Sequence, residues 1–258
     1  MIHRKIGELM DLLKVVAGRG PTEGAVSHRS NAEEIRETYK LRGSSGNLYS
    51  NDNRWYREVL RAREDALLSL LESAGLRDLN GLRILDLGCG KGGWLKDLIR
   101  WGADPALLFG VDLIQERLAE ARCELPDELC LALATGEALP HPDASFDMVI
   151  QATVFSSVLD QGRREAIARE ILRVLRPGGV LLWNDIRWNN PRNRRVQKVG
   201  RSEIEHLFPG CSLHLERVTV APPLGRAVAS LSVKFYRILE RIPPVCSHYL
   251  GLIRRPEA

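Results

Sequence analysis

The chain has 258 residues, and its 37 Lys and Arg residues against 33 Asp and Glu residues give a formal net charge of +4. A hydrophobic content of 44% with 27% charged residues is typical of a globular protein and excludes global disorder. No apolar run reaches the roughly 18 residues that a membrane helix needs. Glu8 and Asp11 fall where a signal peptide needs an unbroken apolar segment, so we expect a cytoplasmic protein.

The five cysteines are odd in number and contain no C-x-x-C pair. They therefore predict neither a disulfide framework nor a cysteine zinc site. The histidines and carboxylates also lack the spacing of metal ligands along the sequence, so we predict no metal.

Helical patterns dominate the first part of the chain. Apolar residues at helical spacing predict a small helix over residues 4–17, and a linker containing Gly, Pro and Ser follows it. Asn31 is suited to cap a short helix, and an amphipathic helix is predicted from about Arg54 to Ser73. We therefore divide the chain into a helical N-terminal cap or lid, residues 1–78, and a core, residues 79–258.

From residue 82 onwards, short apolar runs alternate with helical patterns. The predicted strands are 83–87, 107–113, 129–135, 146–152 and 179–185, with predicted helices at 92–101, 114–122 and 161–174. Because these strands are too apolar to face water, we predict an α/β fold with a doubly wound, mostly parallel sheet. A strand at 212–220, an inserted helix near 226–241 and a last strand at 248–253 would bring the sheet to seven strands.

The strongest motif is ILDLGCGKGGWL, residues 84–95, at the first junction of strand and helix. Gly88, Gly90 and Gly93 satisfy G-x-G-x-x-G, and Asp112 ends the second strand, where a ribose-binding acid is expected. These residues alone fit either a nicotinamide dinucleotide or another adenosine-bearing ligand. Asp86 would place a negative charge beside a pyrophosphate, which is unfavourable. It therefore favours S-adenosylmethionine (SAM), which has no phosphate and carries an ammonium and a sulfonium.

This order of acid and glycines resembles motif I of the class I SAM-dependent methyltransferases. Later segments are similar to the family's second strand, its link into the fourth strand, the loop that follows and its fifth strand. They are GVDL (110–113), TGEALPHPDASFDMV (135–149), QATVFSSVLD (151–160) and RVLRPGGVLLW (173–183). The resemblance covers roughly residues 80–186. It implies a Rossmann-like methyltransferase fold, SAM as cofactor and S-adenosylhomocysteine as product.

The resemblance also implies roles for single residues in cofactor binding. Gly88 and Gly90 are expected to contact the methionine part of SAM, with Asp86 close by. Asp112 is expected to bind the ribose, and Leu113 is expected to pack on adenine. Gln151 is expected to border the sulfonium.

Two positions in the cofactor site are less regular. Cys89 lies within the glycine loop, and a small space-filling role is favoured there over a nucleophilic one. The family often has an aspartate that binds the adenine amino group, but this chain has Thr135 at that place. We therefore expect adenine recognition by Glu137, by the backbone of Gly136 or by a water.

Methyl transfer from a sulfonium is an in-line displacement, so the protein mainly aligns the reacting atoms and excludes water. A hydroxyl acceptor would benefit from a general base. Asp185, at the end of the fifth strand, is the leading candidate; the structural alternative is pairing with Arg187 or capping of a turn. His206 and His141 are weaker candidates.

The excess positive charge is concentrated in residues 187–201, which contain six basic residues and no acid. Without this basic loop, the chain has 31 positive against 33 negative residues. Arginine forks suit phosphate or carboxylate, so Arg187 and Arg192 are candidate ligands of an anionic acceptor. A solvated basic surface is the alternative.

The leading functional hypothesis is SAM-dependent O-methylation of a small molecule, a saccharide or secondary metabolite with or without a phosphate. A second is an RNA methyltransferase, because DLGCGKGGWL is similar to motif I of messenger-RNA cap guanine-N7 enzymes. The modest net charge and the lack of the His-Tyr pair of cap enzymes after the fourth strand argue against nucleic acid. A third is a non-catalytic SAM-binding partner subunit.

Overall fold

The structure is a computed structural model that describes residues 53–189, 193 and 195–257. The helices predicted over residues 4–17 and after Asn31 lie outside the described residues, as does Arg192. Helices are numbered below from the first one described.

The described chain alternates helices and strands through its core. The helices are α1 (Arg54–Ser73), α2 (Gly93–Arg100), α3 (Gln115–Glu124), α4 (Gln161–Val174), α5 (Arg201–Leu207), α6 (Pro222–Leu231) and α7 (Val233–Glu240). The strands are β1 (Ile84–Leu87), β2 (Leu108–Asp112), β3 (Cys130–Leu133), β4 (Phe146–Ala152), β5 (Leu175–Ile186), β6 (Ser212–Val220) and β7 (Cys246–Arg254). Short 3-10 turns lie at Pro105–Leu107, Phe155–Ser157 and Pro243–Val245.

The strands form one seven-stranded sheet in the order β3-β2-β1-β4-β5-β7-β6. Strands β1 to β5 are parallel, and β7 runs antiparallel to both of its neighbours. The predicted doubly wound, mostly parallel sheet is confirmed. The order reverses between β1 and β4, and in such sheets ligands bind at the carboxyl ends of the strands at that point. Leu87 of β1 is level with Val111 on one side and Gln151 on the other, so these strand ends meet.

Helices cover the sheet on both faces. Helices α1, α2 and α3 pack on one face through residues such as Leu70, Leu95 and Leu118. Helices α4 and α5 pack on the other through Ile171 and Ile204. The central strands are therefore buried on both sides, which explains why their sequences are continuously apolar.

Helix α1 begins and ends at the residues that the sequence predicts, Arg54 and Ser73. The Asn53 side chain accepts a hydrogen bond from the Trp55 amide at 3.0 Å, and this cap starts α1 at Arg54. Leu67, Leu70 and Leu71 then lie fully inside the core of the sheet. Helix α1 is thus packed as one of the layers that cover β-strands.

The insertion between the last two strands differs from its prediction. Instead of one helix over 226–241, the chain forms α6 and α7, which meet at Ser232. Ser232 is extended, with φ −159°, and its hydroxyl caps α7 at the Phe235 amide. Both helices pack with Trp55 and Val220 in a small separate apolar cluster. Helix α5 was not predicted.

Leu182 provides a test of the sheet core, because it is fully buried in β5 on the face that α1, α2 and α3 cover. Leu182→Ala should lower the free energy of unfolding by about 2–5 kcal/mol, since it leaves a cavity. Urea unfolding measures this difference. Leu68→Ala is the matched control on α1, where Leu68 is 41% exposed, and it should change stability by less than about 0.5 kcal/mol. Equal losses in both variants would contradict the assigned core.

Candidate cofactor site

The glycine loop connects β1 to α2 through residues in the left-handed conformation. Gly88, Gly90 and Gly92 have φ values of +74°, +56° and +78°, which side chains other than glycine rarely adopt. The amides of Gly88 and Cys89 both donate to the Val111 carbonyl, at 2.7 and 3.0 Å. A Cβ on Gly88 would lie 2.7 Å from a methyl carbon of Val154. The loop therefore needs glycine for its turn and for its close packing.

Asp112, at the end of β2, stabilises this loop through hydrogen bonds. One carboxylate oxygen accepts a hydrogen bond from the Gly90 amide at 2.8 Å, and the other accepts one from the Ile114 amide at 2.8 Å. Asp112 is only 5% exposed. Each carboxylate oxygen has a further lone pair, so the side chain can still accept a ribose hydroxyl.

A cleft of about 90 Å³, open to solvent, lies at the carboxyl ends of β1, β2 and β4. Five of the residues predicted to bind the cofactor line it: Gly88, Asp112, Leu113, Gly136 and Glu137. The structure thus brings the ribose and adenine candidates together.

Asp86 and Gln151 lie beneath the loop and do not line the cleft. Asp86 is buried, and its Oδ2 has no hydrogen-bond partner among the described residues. Burial raises the pKa of Asp86 to about 8; Asp112 adds to this rise, and Arg117 opposes it. Gln151 accepts from the Val154 amide at 3.3 Å, and its Nε2 lacks a partner among the described residues. The buried carboxyl group of Asp86 fits the ammonium of SAM, and the unpaired N–H donor of Gln151 fits the methionine carboxylate.

The Cys89 thiol points into the core of the sheet. It packs in the apolar cluster with Leu95, and a Cβ on Gly110 would lie 2.9 Å from its sulfur. Burial strongly raises the pKa of the thiol, so it stays protonated. The thiol lies 4.0 Å from the Gly90 carbonyl oxygen. Contact between Cys89 and the cofactor stays a prediction.

Two arginines in the cleft were not predicted from the sequence. Arg163 of α4 donates to Glu137 at 2.5 Å, so the adenine candidate already has a counter-ion. Arg117 of α3 lines the cleft as well. The only sign of Arg117 in the sequence is its position five residues after Asp112, in the first turn of the helix.

The structure does not place the two catalytic candidates in the cleft. Asp185 is fully buried and accepts hydrogen bonds from the amides of Ser156 and Ile186, at 3.1 and 2.8 Å. Burial raises its pKa to about 6, and the hydrogen bonds from Ser156 oppose this rise. His206 is exposed on α5, with its Nε2 3.7 Å from a carboxylate oxygen of Glu165. General-base roles for Asp185 and His206 stay predictions.

His141, the third candidate, lies between aromatic rings. Its ring centroid is 5.7 Å from that of Phe109 and 5.0 Å from that of Phe146, both in edge-on contact. Burial lowers its pKa, with help from Arg83 and Arg173. These contacts give His141 a packing role.

The basic loop after β5 is partly engaged with the protein itself. Arg187 donates to the Cys246 carbonyl at 2.6 Å and lies over the rings of Trp188 and Tyr249. Arg201 pairs with Glu205 at 2.9 Å. Anion binding by Arg187 and Arg192 stays a prediction.

Within the described ranges, no cluster of three or more His, Cys, Asp or Glu side chains is placed to hold a metal ion. The helices described in the structure include none that is both long and apolar enough to cross a membrane.

The fold and the cleft define a doubly wound α/β protein with a site for an adenosine-bearing cofactor at its switch point. Residues 85–183 match the methyltransferase domain family. The phthiotriol/phenolphthiotriol dimycocerosates methyltransferase of Mycobacterium leprae is 33% identical over 177 residues, covering 67% of this chain and 60% of that protein. The malonyl-(acyl-carrier protein) O-methyltransferase of Erwinia pyrifoliae is 32% identical over 190 residues, covering 69% and 62%.

A solved structure has the same fold. The magnesium protoporphyrin IX methyltransferase of Synechocystis PCC 6803 with bound SAM matches with a TM-score of 0.59 at 15% identity, covering 91% of this chain and 100% of that chain. The domain at residues 85–183 belongs to the class I SAM-dependent methyltransferases, whose cofactor is SAM. The chain spans about 60% of the length of the two curated relatives named here.

The raised pKa of Asp86 predicts that SAM affinity depends on pH. Asp86 is protonated at neutral pH, whereas the positive charges of SAM favour its carboxylate, so binding should release a proton below pH 8. Affinity should therefore rise from pH 6 to about 8 and then level off. Calorimetry in buffers of different ionisation enthalpy measures the released proton.

Asp86→Asn should remove this proton release. Asp127→Asn, at an exposed position that does not line the cleft, is the control and should retain it. Equal proton release in wild type and Asp86→Asn would show that Asp86 is not the titrating group.

Proposed function

We propose that the protein catalyses transfer of the SAM methyl group to a hydroxyl of a small-molecule acceptor. The observation that carries the proposal is the cleft in which Asp112 and the glycine loop meet, inside the region that matches the methyltransferase domain. SAM supplies an activated methyl group when bound. The chain's own part is to hold the adenosine with Asp112, Leu113 and Glu137, and to direct the methyl group to one acceptor atom.

The acceptor is proposed to have an apolar part, as a secondary metabolite does. Strand β6 runs in the same direction as β5, so α6 and α7 follow it at the edge of the sheet that carries the cleft. Phe235, Ile238 and Ile242 expose 65%, 56% and 41% of their surfaces there. Exposed apolar side chains so close together support binding of an apolar group. The dimycocerosates in the name of one relative favour this choice over a saccharide, and the name of the other supports oxygen as the acceptor atom.

A polar or anionic group on the acceptor remains part of the proposal. Arg187, Arg195 and Lys198 follow β5 at the same edge of the sheet. Arg195 and Lys198 are exposed. Positive side chains at this place support binding of a phosphate or carboxylate.

The division into a cap, residues 1–78, and a core, residues 79–258, also remains a proposal. Trp55 at the start of α1 packs with Ala229 and Tyr236 of the inserted helices. The start of α1 therefore lies beside the helices that we assign to the acceptor. This position supports a lid function for the cap.

Asp185 is proposed to support the reaction through the loop after β4. Its carboxylate holds the Ser156 amide, and the same loop places Val154 against Gly88 of the cofactor site. Asp185→Asn keeps one oxygen acceptor, so the turnover number should fall less than about tenfold with an unchanged pH profile. Steady-state kinetics over pH 5 to 9 measure both. A loss above about a hundredfold, together with loss of the acidic limb of the profile, would identify Asp185 as the general base.

The activity itself is tested with SAM labelled in its methyl group and a panel of acceptors. The panel contains a long-chain hydroxylated metabolite, a free saccharide, a phosphate-bearing sugar and a capped RNA. We expect label in the first class, and Asp112→Ala should weaken SAM binding by at least about tenfold because it removes the ribose acceptor and the Gly90 anchor. Label in RNA with salt-sensitive binding would favour the nucleic-acid alternative. SAM binding without transfer to any acceptor would favour a non-catalytic subunit.

A further inference from the structure

The cleft is open over the adenosine half of the expected cofactor site and reaches the methionine half only at Gly88. Asp112 and Leu113, the residues for ribose and adenine, line it together with Gly88. Asp86, Gly90 and Gln151, the other residues for the methionine part, do not line it. The open space therefore ends between Gly88 and Gly90.

The side chain of Arg117 lies at this boundary. A Cβ added to Gly90 would lie 2.7 Å from the guanidinium carbon of Arg117 and 3.2 Å from its Nε. Arg117 also lines the open cleft, so its side chain borders both the cleft and Gly90. The space that a side chain at position 90 would occupy is thus filled by Arg117 of α3.

The charge of Arg117 acts on the acids of the methionine half. It opposes the rise in the pKa of the buried Asp86 and also acts on the Cys89 thiol. SAM brings an ammonium and a sulfonium to the same buried acid, Asp86. The methionine chain and the guanidinium therefore compete for the same space and for the same acid.

We propose that Arg117 determines which ligands the cofactor site selects, because its guanidinium closes the methionine half and must swing out before a methionine chain can bind. A ligand that contains only adenosine fits the open half and leaves Arg117 in place. The inference rests on the proposed function, since it takes SAM as the cofactor. Arg117 is a specificity residue of the cofactor site and takes no part in the methyl transfer.

The test compares three ligands by calorimetry on the full chain: SAM, S-adenosylhomocysteine and 5′-methylthioadenosine, which lacks the aminocarboxypropyl chain. Arg117→Met keeps a long flexible side chain and removes the charge. SAM and S-adenosylhomocysteine should bind on the order of tenfold more tightly to this variant, because the closed state no longer reduces their apparent affinity. The affinity for 5′-methylthioadenosine should change by less than about twofold.

Two variants control for charge and for helix α3. Arg117→Lys keeps a positive charge and should retain most of the wild-type ligand preference. Arg122→Met removes an arginine from the same helix, where Arg122 is exposed and donates to the Leu131 carbonyl, and it should leave all three affinities unchanged.

Weaker SAM binding by Arg117→Met would overturn the proposal, because it would make Arg117 a ligand of the methionine carboxylate. A parallel change for all three ligands would also overturn it, since that pattern reports a general change of the site. If all three bound wild type and Arg117→Met equally, only the role of Arg117 would fail. If the wild-type protein bound none of them, the cofactor assignment would fail with it.

Discussion

The cofactor end of the molecule depends on the two hydrogen bonds that the Asp112 carboxylate accepts. They join three segments: the glycine loop through Gly90, the end of β2, and the start of α3 through Ile114. Hydrogen bonds to a charged acceptor are stronger than neutral ones, and burial strengthens them further. The neighbouring Val111 carbonyl accepts hydrogen bonds from the amides of Gly88 and Cys89. Two consecutive residues of β2 therefore set the shape of the loop and, with it, the width of the cleft.

A second buried acid has a related role at the end of β5. Asp185 accepts the Ser156 amide, and Arg164 supports the same loop by donating to the Val158 carbonyl at 2.6 Å. Arg164 is almost fully buried and pairs with Glu203 of α5 at 2.5 Å. Both strand-end acids thus order a loop at the carboxyl edge of the sheet. They differ in exposure to the ligand, because Asp112 lines the cleft and Asp185 does not.

Much of the fold was predictable because its signals are local. A polar cap at Asn53 and an apolar stripe define α1, and continuous apolar runs define strands that are buried on both faces. The break at Ser232 was missed because the apolar spacing continues across it from α6 to α7. Helix α5 has only seven residues, which is too short for a clear periodic signal.

In the cofactor site, the backbone positions were easier to predict from the sequence than the long side chains that reach the cleft. Glycines of the loop and an acid at a strand end act at positions that the order of strands and loops determines. Gly88 and Asp112 could therefore be predicted as cofactor residues from the sequence. Arg117 and Arg163 resemble ordinary solvent-facing helix residues, and only the packing of α3 and α4 shows that they reach the cleft. Asp185 shows the opposite limit. Its place at a strand end and its alternative role as a cap of a turn were both predicted, but the sequence does not show that the amide of Ser156, 29 residues away, would be one of its donors.

Strand β7 lies between β5 and β6, although it follows both of them along the chain. In the described sheet, β6 is an edge strand whose partner is β7, so it has nothing to pair with until β7 has been made. During synthesis the first five strands can assemble in the order in which they leave the ribosome. The edge of β5 then stays unpaired while about sixty further residues are added, which takes several seconds at ordinary rates of translation. The sheet is completed from within by its last strand, and a chain halted before β7 would expose the edges of two strands to other polypeptides.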